Sequence, residues 1–405
     1  MAARIPELAG LSVFRDLPAA AKQDLEDRLQ PMTVRRGETL VLQGDMADAL
    51  FVVVTGRFEV LIEGRAAAVA ELGAGEPIGE IAFFAGGART ATLKALRDSV
   101  VLKLGRDEFD ALARQSPGIW TAITATLAQR LAQTTAAGSA PKQARPRTIS
   151  IIRAGAAPVL HEFVARVEAA FQPGRVLLLD EPGAGGAIDW GVSLTSSDEA
   201  RWFNEIESRF DTVIYVADDA LTAWSEKAIR QSDMVLCVGR AGGDVAASAP
   251  SELETFAAKL HKPHNMRLVL LHDTPPPFSG TRGWLAVRPW MGMHHHVCRG
   301  DAADHARLVR FINGTALGLV ACGGGAFSAS HIGTYQALAE RGFDFDIMGG
   351  TSGGAAMTAA FVKGAGPDEI ERVVREIFVT RRAMRRWTWP RYGLLDPREI
   401  GRAHV

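Results

Sequence analysis

One stretch, Gly350-Thr351-Ser352-Gly353-Gly354, decides the fold of the C-terminal part of this chain. Ile347-Met348 before it is typical of the end of a buried strand, and Ala355–Val362 after it is typical of an apolar helix. Glycines on both sides of a serine permit a strained turn from strand to helix, and such a turn exposes the serine hydroxyl. The stretch therefore predicts Ser352 as a nucleophile on a sharp turn formed with Gly350 and Gly354.

A second glycine turn lies upstream of the serine. Leu317–Cys322 predicts a short apolar strand, which ends in Gly323-Gly324-Gly325-Ala326, and Ser330–Leu338 predicts the helix that follows. Backbone N–H groups of such a turn can hold an acyl oxyanion, and one well-placed donor contributes about 3–4 kcal/mol. The alternative is a phosphate-binding turn of Rossmann type, but the spacing is not G-x-G-x-x-G.

These motifs resemble those of the patatin-like phospholipases, specifically the bacterial relatives of neuropathy target esterase. In that family a G-G-G-x-[Arg/Lys]-G turn precedes His-Ile-Gly, which here is His331-Ile332-Gly333. Phe327 stands where the family has a basic residue, and Ser328 where it has glycine. The resemblance implies an α/β/α hydrolase that cleaves phospholipid or lysophospholipid acyl esters through a Ser–Asp dyad, without a catalytic cofactor.

The resemblance also implies that the dyad aspartate lies in an Asp-Gly motif after the nucleophile, and no Asp-Gly follows Ser352 in this chain. We therefore expect the hydrolase domain to be incomplete, with its aspartate beyond Val405. Ile400–Val405 reads as the translation of a sequencing-library adapter and is expected to be artefactual; an ordinary polar tail is the alternative.

The N-terminal third of the chain has a β-rich pattern. Its short β-prone runs, punctuated by glycines, are Met32–Arg35, Thr39–Leu42, Ala49–Val54, Phe58–Ile62 and Val100–Leu104. They predict a small β-barrel or jelly roll. A short helix is expected before them, over Ala19–Leu29.

Within this barrel, the stretch Gly79–Thr92 resembles the phosphate-binding cassette of cyclic-nucleotide-binding domains. A helix start over Gly79, Glu80, Ile81 and Ala82 offers backbone N–H groups, and Arg89 offers a fork of donors for a cyclic phosphate. Glu80 is expected to accept from the ribose 2′-hydroxyl. The alternative is a Glu80–Arg89 ion pair on a surface hairpin.

The expected ligand is cAMP or cGMP, acting as an allosteric effector. In the cyclic-nucleotide-binding domains that the cassette resembles, a threonine directly after the arginine is associated with binding of the guanine base. Thr90 follows Arg89 here, so cGMP stays a candidate ligand beside cAMP. Ile119–Thr134 predicts a single helix rather than a helix-turn-helix, so no nucleic-acid partner is expected.

The middle of the chain predicts an α/β domain. Five apolar runs alternate with helical patterns such as Asp198–Phe210 and Ser251–Leu260, which indicates a parallel sheet covered on both faces; the runs are Thr148–Ile152, Val176–Leu179, Thr212–Val216, Met234–Val238 and Arg267–Leu271. Gly183–Gly186 lacks the Lys and Ser/Thr of a P-loop and is interpreted as a loop. His294-His295-His296 favours a structural or interdomain role over a metal site, because adjacent histidines cannot all face one ion.

Composition is that of a globular protein of several domains. The chain has 405 residues, 47% hydrophobic and 22% charged, with a net charge of −1, so its overall charge does not attract nucleic acid or anionic membrane. Cys237, Cys298 and Cys322 lie far apart on apolar segments and predict buried thiols in a reducing compartment. We expect a cytoplasmic protein. The cations and aromatics of Arg381–Tyr392 favour peripheral membrane contact, and packing of the tryptophans on the core is the alternative.

The expected organisation is a cyclic-nucleotide-binding domain over 10–135, a linker over 136–147, a Rossmann-like α/β domain over 148–313, and the start of a patatin-like domain over 315–399. The function expected is a cyclic-nucleotide-regulated serine esterase. A catalytically impaired nucleotide sensor or scaffold is the alternative, and Phe327 and the missing Asp-Gly motivate it.

Overall fold

The computed structural model describes residues 24–25, 27–65, 67–115, 145–171, 174–185, 197–241 and 249–382, in two compact units divided after Val309. Several predictions lie outside these residues: most of the helix Ala19–Leu29, the helix Ile119–Thr134, most of the linker, the segment after Arg382, and Ile400–Val405.

The first unit begins with two antiparallel four-stranded sheets packed as a β-sandwich, in the orders β1-β8-β3-β6 and β2-β7-β4-β5. The strands are β1 Gln30–Val34, β2 Thr39–Val41, β3 Ala49–Thr55, β4 Arg57–Leu61, β5 Ala70–Gly73, β6 Pro77–Ile78, β7 Thr92–Ala95 and β8 Ser99–Gly105. Two helices accompany them, α1 Glu80–Ala85 and α2 Arg106–Gln115. The prediction of a small β-barrel or jelly roll is confirmed as a β-sandwich; β5 to β7 have four, two and four residues and are too short to have been assigned from their pattern.

A parallel six-stranded sheet follows in the same unit, in the order β10-β11-β9-β12-β13-β14. Its strands are β9 Thr148–Arg153, β10 Val176–Leu179, β11 Thr212–Val216, β12 Met234–Arg240, β13 Met266–His272 and β14 Met293–Cys298. The helices are α3 His161–Ala170, α4 Glu181–Gly185, α5 Ser197–Arg209, α6 Ala223–Gln231, α7 Glu252–Leu260, α8 Thr281–Ala286 and α9 Ala302–Ile312. The predicted α/β class and its five strands are confirmed.

One strand of this sheet was not predicted, and one prediction was wrong. His294-His295-His296 forms the edge strand β14, paired with β13, although the run lacks β-branched residues. The interpretation of Gly183–Gly186 as a loop fails over its described part, because Gly183–Gly185 belongs to α4. The Asp180 carboxylate accepts a hydrogen bond from the Gly183 amide at 2.9 Å, and this local cap permits a helical turn despite the glycines.

The sandwich and the parallel sheet of the first unit are joined by buried charged groups. Arg36 of the sandwich donates to the carbonyls of Arg230 at 3.2 Å and Ser232 at 2.6 Å, and its Nη2 lies 3.0 Å from His261 Nδ1. Asp98 accepts from Lys227 at 2.9 Å and from Arg230 at 3.2 Å. Burial lowers the pKa of the Arg36 guanidinium to about 10. These contacts make the junction specific, because each buried charge has defined partners.

The second unit contains the parallel pair β15 Gly318–Ala321 and β16 Ile347–Gly350. Three helices, α10 Ser330–Ala339, α11 Gly353–Val362 and α12 Pro367–Arg375, follow in the chain with the 3₁₀ turn Gly325–Ala329 and a π-helical turn Glu376–Thr380. Leu319 and Met348 pack against a small core of Ile332, Met357, Phe361 and Ile370.

The expectation that Ile347-Met348 ends a buried strand was wrong on one face of this pair. Ile347 is 56% exposed and Val320 is 82% exposed, whereas Met348 is half-buried. Side chains alternate between the faces of a strand, and among the described residues the apolar core lies on the Leu319 and Met348 face alone.

The prediction that the cysteine thiols are buried holds for one of the three cysteines. All three thiols are free; Cys237 is buried, Cys298 is half-buried and Cys322 is exposed, because Cys322 follows the last residue of β15 at the start of the glycine turn. Within the described residues, none of the helices combines the length and the apolar character that crossing a membrane requires.

Candidate functional site

Ser352 occupies the strained turn that the sequence predicts. Its backbone has φ 52° and ψ −123°, a conformation that non-glycine residues rarely adopt, and it is the residue that caps the N-terminus of α11. Close packing explains the glycines around it. A Cβ on Gly350 would lie 2.5 Å from the carbonyl carbon of Gly354, and one on Gly354 would collide with the Ala321 carbonyl oxygen.

The structure brings the upstream glycine turn against this serine. A Cβ on Gly323 would lie 3.1 Å from Ser352 Cβ and 3.8 Å from Ser352 Oγ. The Thr351 amide donates to the Ala321 carbonyl at 3.1 Å, which fixes the two strand ends side by side. Gly325 has φ +58°, and from there Ala326 continues as the 3₁₀ turn into α10. The predicted oxyanion turn and the predicted nucleophile are therefore neighbours.

The side chains at the two positions that differ from the family motif G-G-G-x-[Arg/Lys]-G point in opposite directions. Phe327 is 87% exposed, and Ser328, the next residue, is 3% exposed. Sequence reasoning noted both departures but gave Ser328 no role, because nothing in the sequence distinguishes a serine that faces the turn from one that faces solvent.

Two polar residues near the turns have structural partners. Asp346 accepts from Arg310 Nε at 3.0 Å and from the Leu317 amide at 3.0 Å, which ties the start of β16 to the start of β15. His331 Nε2 lies 2.9 Å from the Cys322 carbonyl oxygen and therefore donates to it. Both residues support the turns, and neither was assigned from the sequence beyond the His-Ile-Gly motif.

The predicted nucleotide cassette forms a compact cradle in the sandwich. Gly79 has φ +76° and caps α1, which begins at Glu80. Arg89 is 4% exposed; its Nη1 donates to the Gly79 carbonyl at 3.2 Å and its Nη2 to the Ala49 carbonyl at 2.6 Å. A Cβ on Gly79 would collide with Arg89 Nη1, so this close approach requires glycine.

Some of the other cassette residues are buried and some are exposed. Glu80 and Ala82 are buried, whereas Ile81 and Thr90 are exposed. Arg89 forms an ion pair with the Asp48 carboxylate at 3.8 Å. Burial lowers the pKa of the Arg89 guanidinium, and the charge of Asp48 opposes that shift. The alternative placed Glu80 and Arg89 on a surface hairpin, whereas both side chains are buried.

Of the three histidines of β14, His294 is exposed, whereas His295 is buried and His296 is half-buried. His296 Nδ1 lies 2.8 Å from His272 Nε2, and its Nε2 lies 3.2 Å from Thr281 Oγ1. Burial lowers the pKa of His296 to about 4 and that of His295 to about 3. Both rings are therefore neutral at physiological pH, and these contacts account for their positions.

Three family models match successive parts of the chain. A cyclic nucleotide-binding domain matches residues 31–116, a Neuropathy Target Esterase family P-loop like domain matches 147–316, and a patatin-like phospholipase domain matches 319–404. Together they show that the chain is similar to patatin-like phospholipases in one part and to cyclic nucleotide-binding domains in another. The model that matches the middle segment is that of the neuropathy target esterase family, so the chain is similar to that family over residues 147–316.

Individual relatives agree with this similarity. The chain is 28% identical over 84% of its length to Lysophospholipase NTE1 of Mycosarcoma maydis, and 28% identical over 97% of its length to Neuropathy target esterase sws of Drosophila persimilis. It spans 22% and 30% of those relatives, respectively. Among solved structures, the Thermus thermophilus catabolite activator protein is 28% identical, with 31% of this chain and 60% of that chain covered and a TM-score of 0.29.

Proposed function

We propose that this chain carries the nucleophile and oxyanion turn of a serine esterase that hydrolyses acyl esters of phospholipids or lysophospholipids. One observation carries the proposal: Ser352 lies on a strained strand-to-helix turn with the Gly323 turn beside its hydroxyl. The patatin-like family model and the lysophospholipase name of a relative support the substrate class.

In the proposed mechanism, Ser352 Oγ attacks the ester carbonyl carbon while its proton passes to an aspartate. The carbonyl oxygen becomes an oxyanion held by the turn of Gly323 to Ala326, and the alkoxide leaves with the proton from the aspartic acid. Water then cleaves the acyl-enzyme by the same steps. We place the aspartate in an Asp-Gly motif outside these 405 residues, because none follows Ser352 in the sequence.

Hydrolysis of a lysophospholipid and of a p-nitrophenyl ester tests the proposal, using the protein expressed from its complete coding sequence. Ser352→Ala should lower kcat by at least about 10³-fold, as expected for loss of a serine nucleophile. A mutant as active as the parent would refute the assignment of Ser352. Turnover by the 405-residue chain alone would refute the placement of the aspartate, and an inactive parent would favour the sensor or scaffold alternative.

We further propose that the sandwich binds cAMP or cGMP and that binding controls the hydrolase. The buried Arg89 guanidinium and the N-terminus of α1 beside it are the proposed donors for a cyclic phosphate, and Glu80 is the proposed acceptor for the ribose hydroxyl. The cyclic nucleotide-binding family model supports the ligand class.

Calorimetric titration of the 405-residue chain with each nucleotide tests this binding. Arg89→Ala should weaken affinity by at least ~2 kcal/mol, about 30-fold, the scale of a lost charged hydrogen bond. Arg65→Ala, at an exposed position of the same sandwich, is the matched control and should bind as the parent does. Unchanged affinity in Arg89→Ala, or no binding by the parent at high micromolar nucleotide, would end the sensor assignment.

A further inference from the structure

Ser328 has a buried hydroxyl that the protein itself does not satisfy. The residue lies in the 3₁₀ turn Gly325–Ala329 and is 3% exposed. Among the described residues, no group forms a hydrogen bond with its Oγ. Leaving a buried hydroxyl without a partner destabilises a protein, so a group of this kind calls for a ligand or a functional explanation.

Ser330, the first residue of α10, shows that the local backbone can satisfy a serine. Its Oγ donates to the Phe327 carbonyl at 2.8 Å. The neighbouring Ser328 makes no such bond and instead points into the protein. Ser328 Oγ therefore lacks a hydrogen-bond partner because of the direction in which its side chain points.

The Ser328 hydroxyl lies against both backbone segments of the candidate oxyanion site. A Cβ on Gly353, the residue after the nucleophile, would lie 2.5 Å from Ser328 Oγ, and a Cβ on Gly324 would lie 3.8 Å from it. In serine hydrolases with this type of turn, the amide after the nucleophile and an amide of the upstream turn are the expected oxyanion donors. Ser328 Oγ is thus positioned beside the place where negative charge develops.

We propose that Ser328 is a further catalytic residue, whose hydroxyl donates a hydrogen bond to the acyl oxyanion. This inference rests on the proposed function. When the bond from Ser352 Oγ to the acyl carbon forms, the carbonyl π electrons move to oxygen, and Ser328 Oγ–H stabilises that oxygen without giving up its proton. The bond exists only while the oxyanion exists, because the hydroxyl has no partner in the free protein.

A catalytic role and a structural role for Ser328 predict opposite results for Ser328→Ala. Loss of a transition-state hydrogen bond lowers kcat and kcat/KM equally and leaves KM unchanged. Removal of an unsatisfied hydroxyl leaves the melting temperature unchanged or raises it. A structural role would instead lower the melting temperature together with the activity.

The experiment compares steady-state hydrolysis of a p-nitrophenyl ester and thermal unfolding in the protein from the complete coding sequence. Ser328→Ala should lower kcat by about 10²-fold, the scale for one oxyanion donor, with no fall in melting temperature. Thr334→Val is the matched control, because it removes an exposed hydroxyl from the adjoining helix α10, and it should keep the parent rate.

Two results would overturn the role of Ser328 and leave the proposed function intact. One is a fall in kcat of less than about ten-fold, which is a small part of the usual effect of one oxyanion donor. The other is a loss of rate that accompanies a lower melting temperature. Both results apply when Ser352→Ala abolishes hydrolysis by the same protein. Activity that survives Ser352→Ala would overturn the proposed function, and with it the oxyanion that Ser328 is proposed to hold.

Discussion

At the scale of single residues, Ser352 combines a reactive position with an unfavourable backbone. A φ of 52° with ψ −123° costs a non-glycine residue about 1–3 kcal/mol, and the surrounding packing must over-determine it. Gly350 and Gly354 leave no room for side chains there, so the turn is held by close backbone packing. The strain places the hydroxyl at the helix N-terminus beside the Gly323 turn.

The first prediction follows from this strain. Ser352→Gly should raise the free energy of unfolding by about 1 kcal/mol, because glycine adopts this φ without penalty, and it should abolish hydrolysis. Ser352→Ala is the matched control, since it removes the hydroxyl but keeps the Cβ and the strain. Denaturant unfolding of the three proteins measures the difference. Equal stability of the glycine and alanine variants would show that the turn is not strained.

At the scale of elements, helix α6 is one of the parts of the α/β domain that form ion pairs with the sandwich. Lys227 and Arg230 on this helix both contact Asp98, which follows β7 in the sandwich, and all three side chains are buried. Burial raises the pKa of Asp98, but the charges of Lys227 and Arg230 outweigh it and hold that pKa below the ordinary value of 3.8. Asp98 is therefore ionised in the folded protein at neutral pH.

The second prediction tests this ion cluster by pH. A carboxylate whose pKa is depressed by folding stabilises the fold fully above the ordinary value of 3.8, and the contribution disappears as pH falls through its folded pKa. Asp98→Asn should cost roughly 3 kcal/mol near neutral pH, because it leaves buried cations facing a neutral amide. The cost should shrink at more acidic pH.

Unfolding free energies of the parent and Asp98→Asn, measured from about pH 7 to about pH 3, would show this trend. Asp107→Asn, at an exposed position on α2, is the control and should be near neutral throughout. A difference between parent and Asp98→Asn that is small or independent of pH would contradict the account of the junction.

The elements also show which features a single sequence can reveal. Long apolar runs of β-branched residues predicted β9 to β13, because burial on both faces leaves a strong signal. β14 was missed because its histidines read as polar, although burial lowers the pKa of His295 and of His296 and keeps both rings neutral. α4 was missed because glycines usually end helices, whereas here the Asp180 carboxylate caps the turn.

At the scale of the whole molecule, sequence motifs and the spacing of apolar runs predicted the fold classes of the three segments. They did not predict the junction between the first two segments. Arg36 and Asp98 have no local pattern that marks them as buried, since their partners lie far away in sequence. The same reason applies to Ser328, whose burial depends on the packing of two turns. Ser352, the Gly323 turn and the Arg89 cradle were found because glycine spacing is a local signal; their functions stay predictions.

The third prediction concerns control of the hydrolase by nucleotide. A ligand changes the rate only if it binds one state of the protein better than another. The protein from the complete coding sequence should therefore hydrolyse lysophospholipid at different rates with and without saturating cAMP or cGMP, and Arg89→Ala should remove that difference. Identical rates in the parent, across several lipid substrates, would reduce the sandwich to a binding or tethering module.

The most direct test of the central claim is to identify the residue that a fluorophosphonate modifies in the protein from the complete coding sequence. An activated serine oxygen displaces fluoride and forms a stable bond to phosphorus, so the adduct marks the nucleophile. Peptide mass spectrometry should place the adduct on Ser352, and Ser352→Ala should abolish both labelling and lysophospholipid hydrolysis. An adduct on another residue, or hydrolysis that persists while Ser352 stays unlabelled, would contradict the assignment of Ser352 as the catalytic serine.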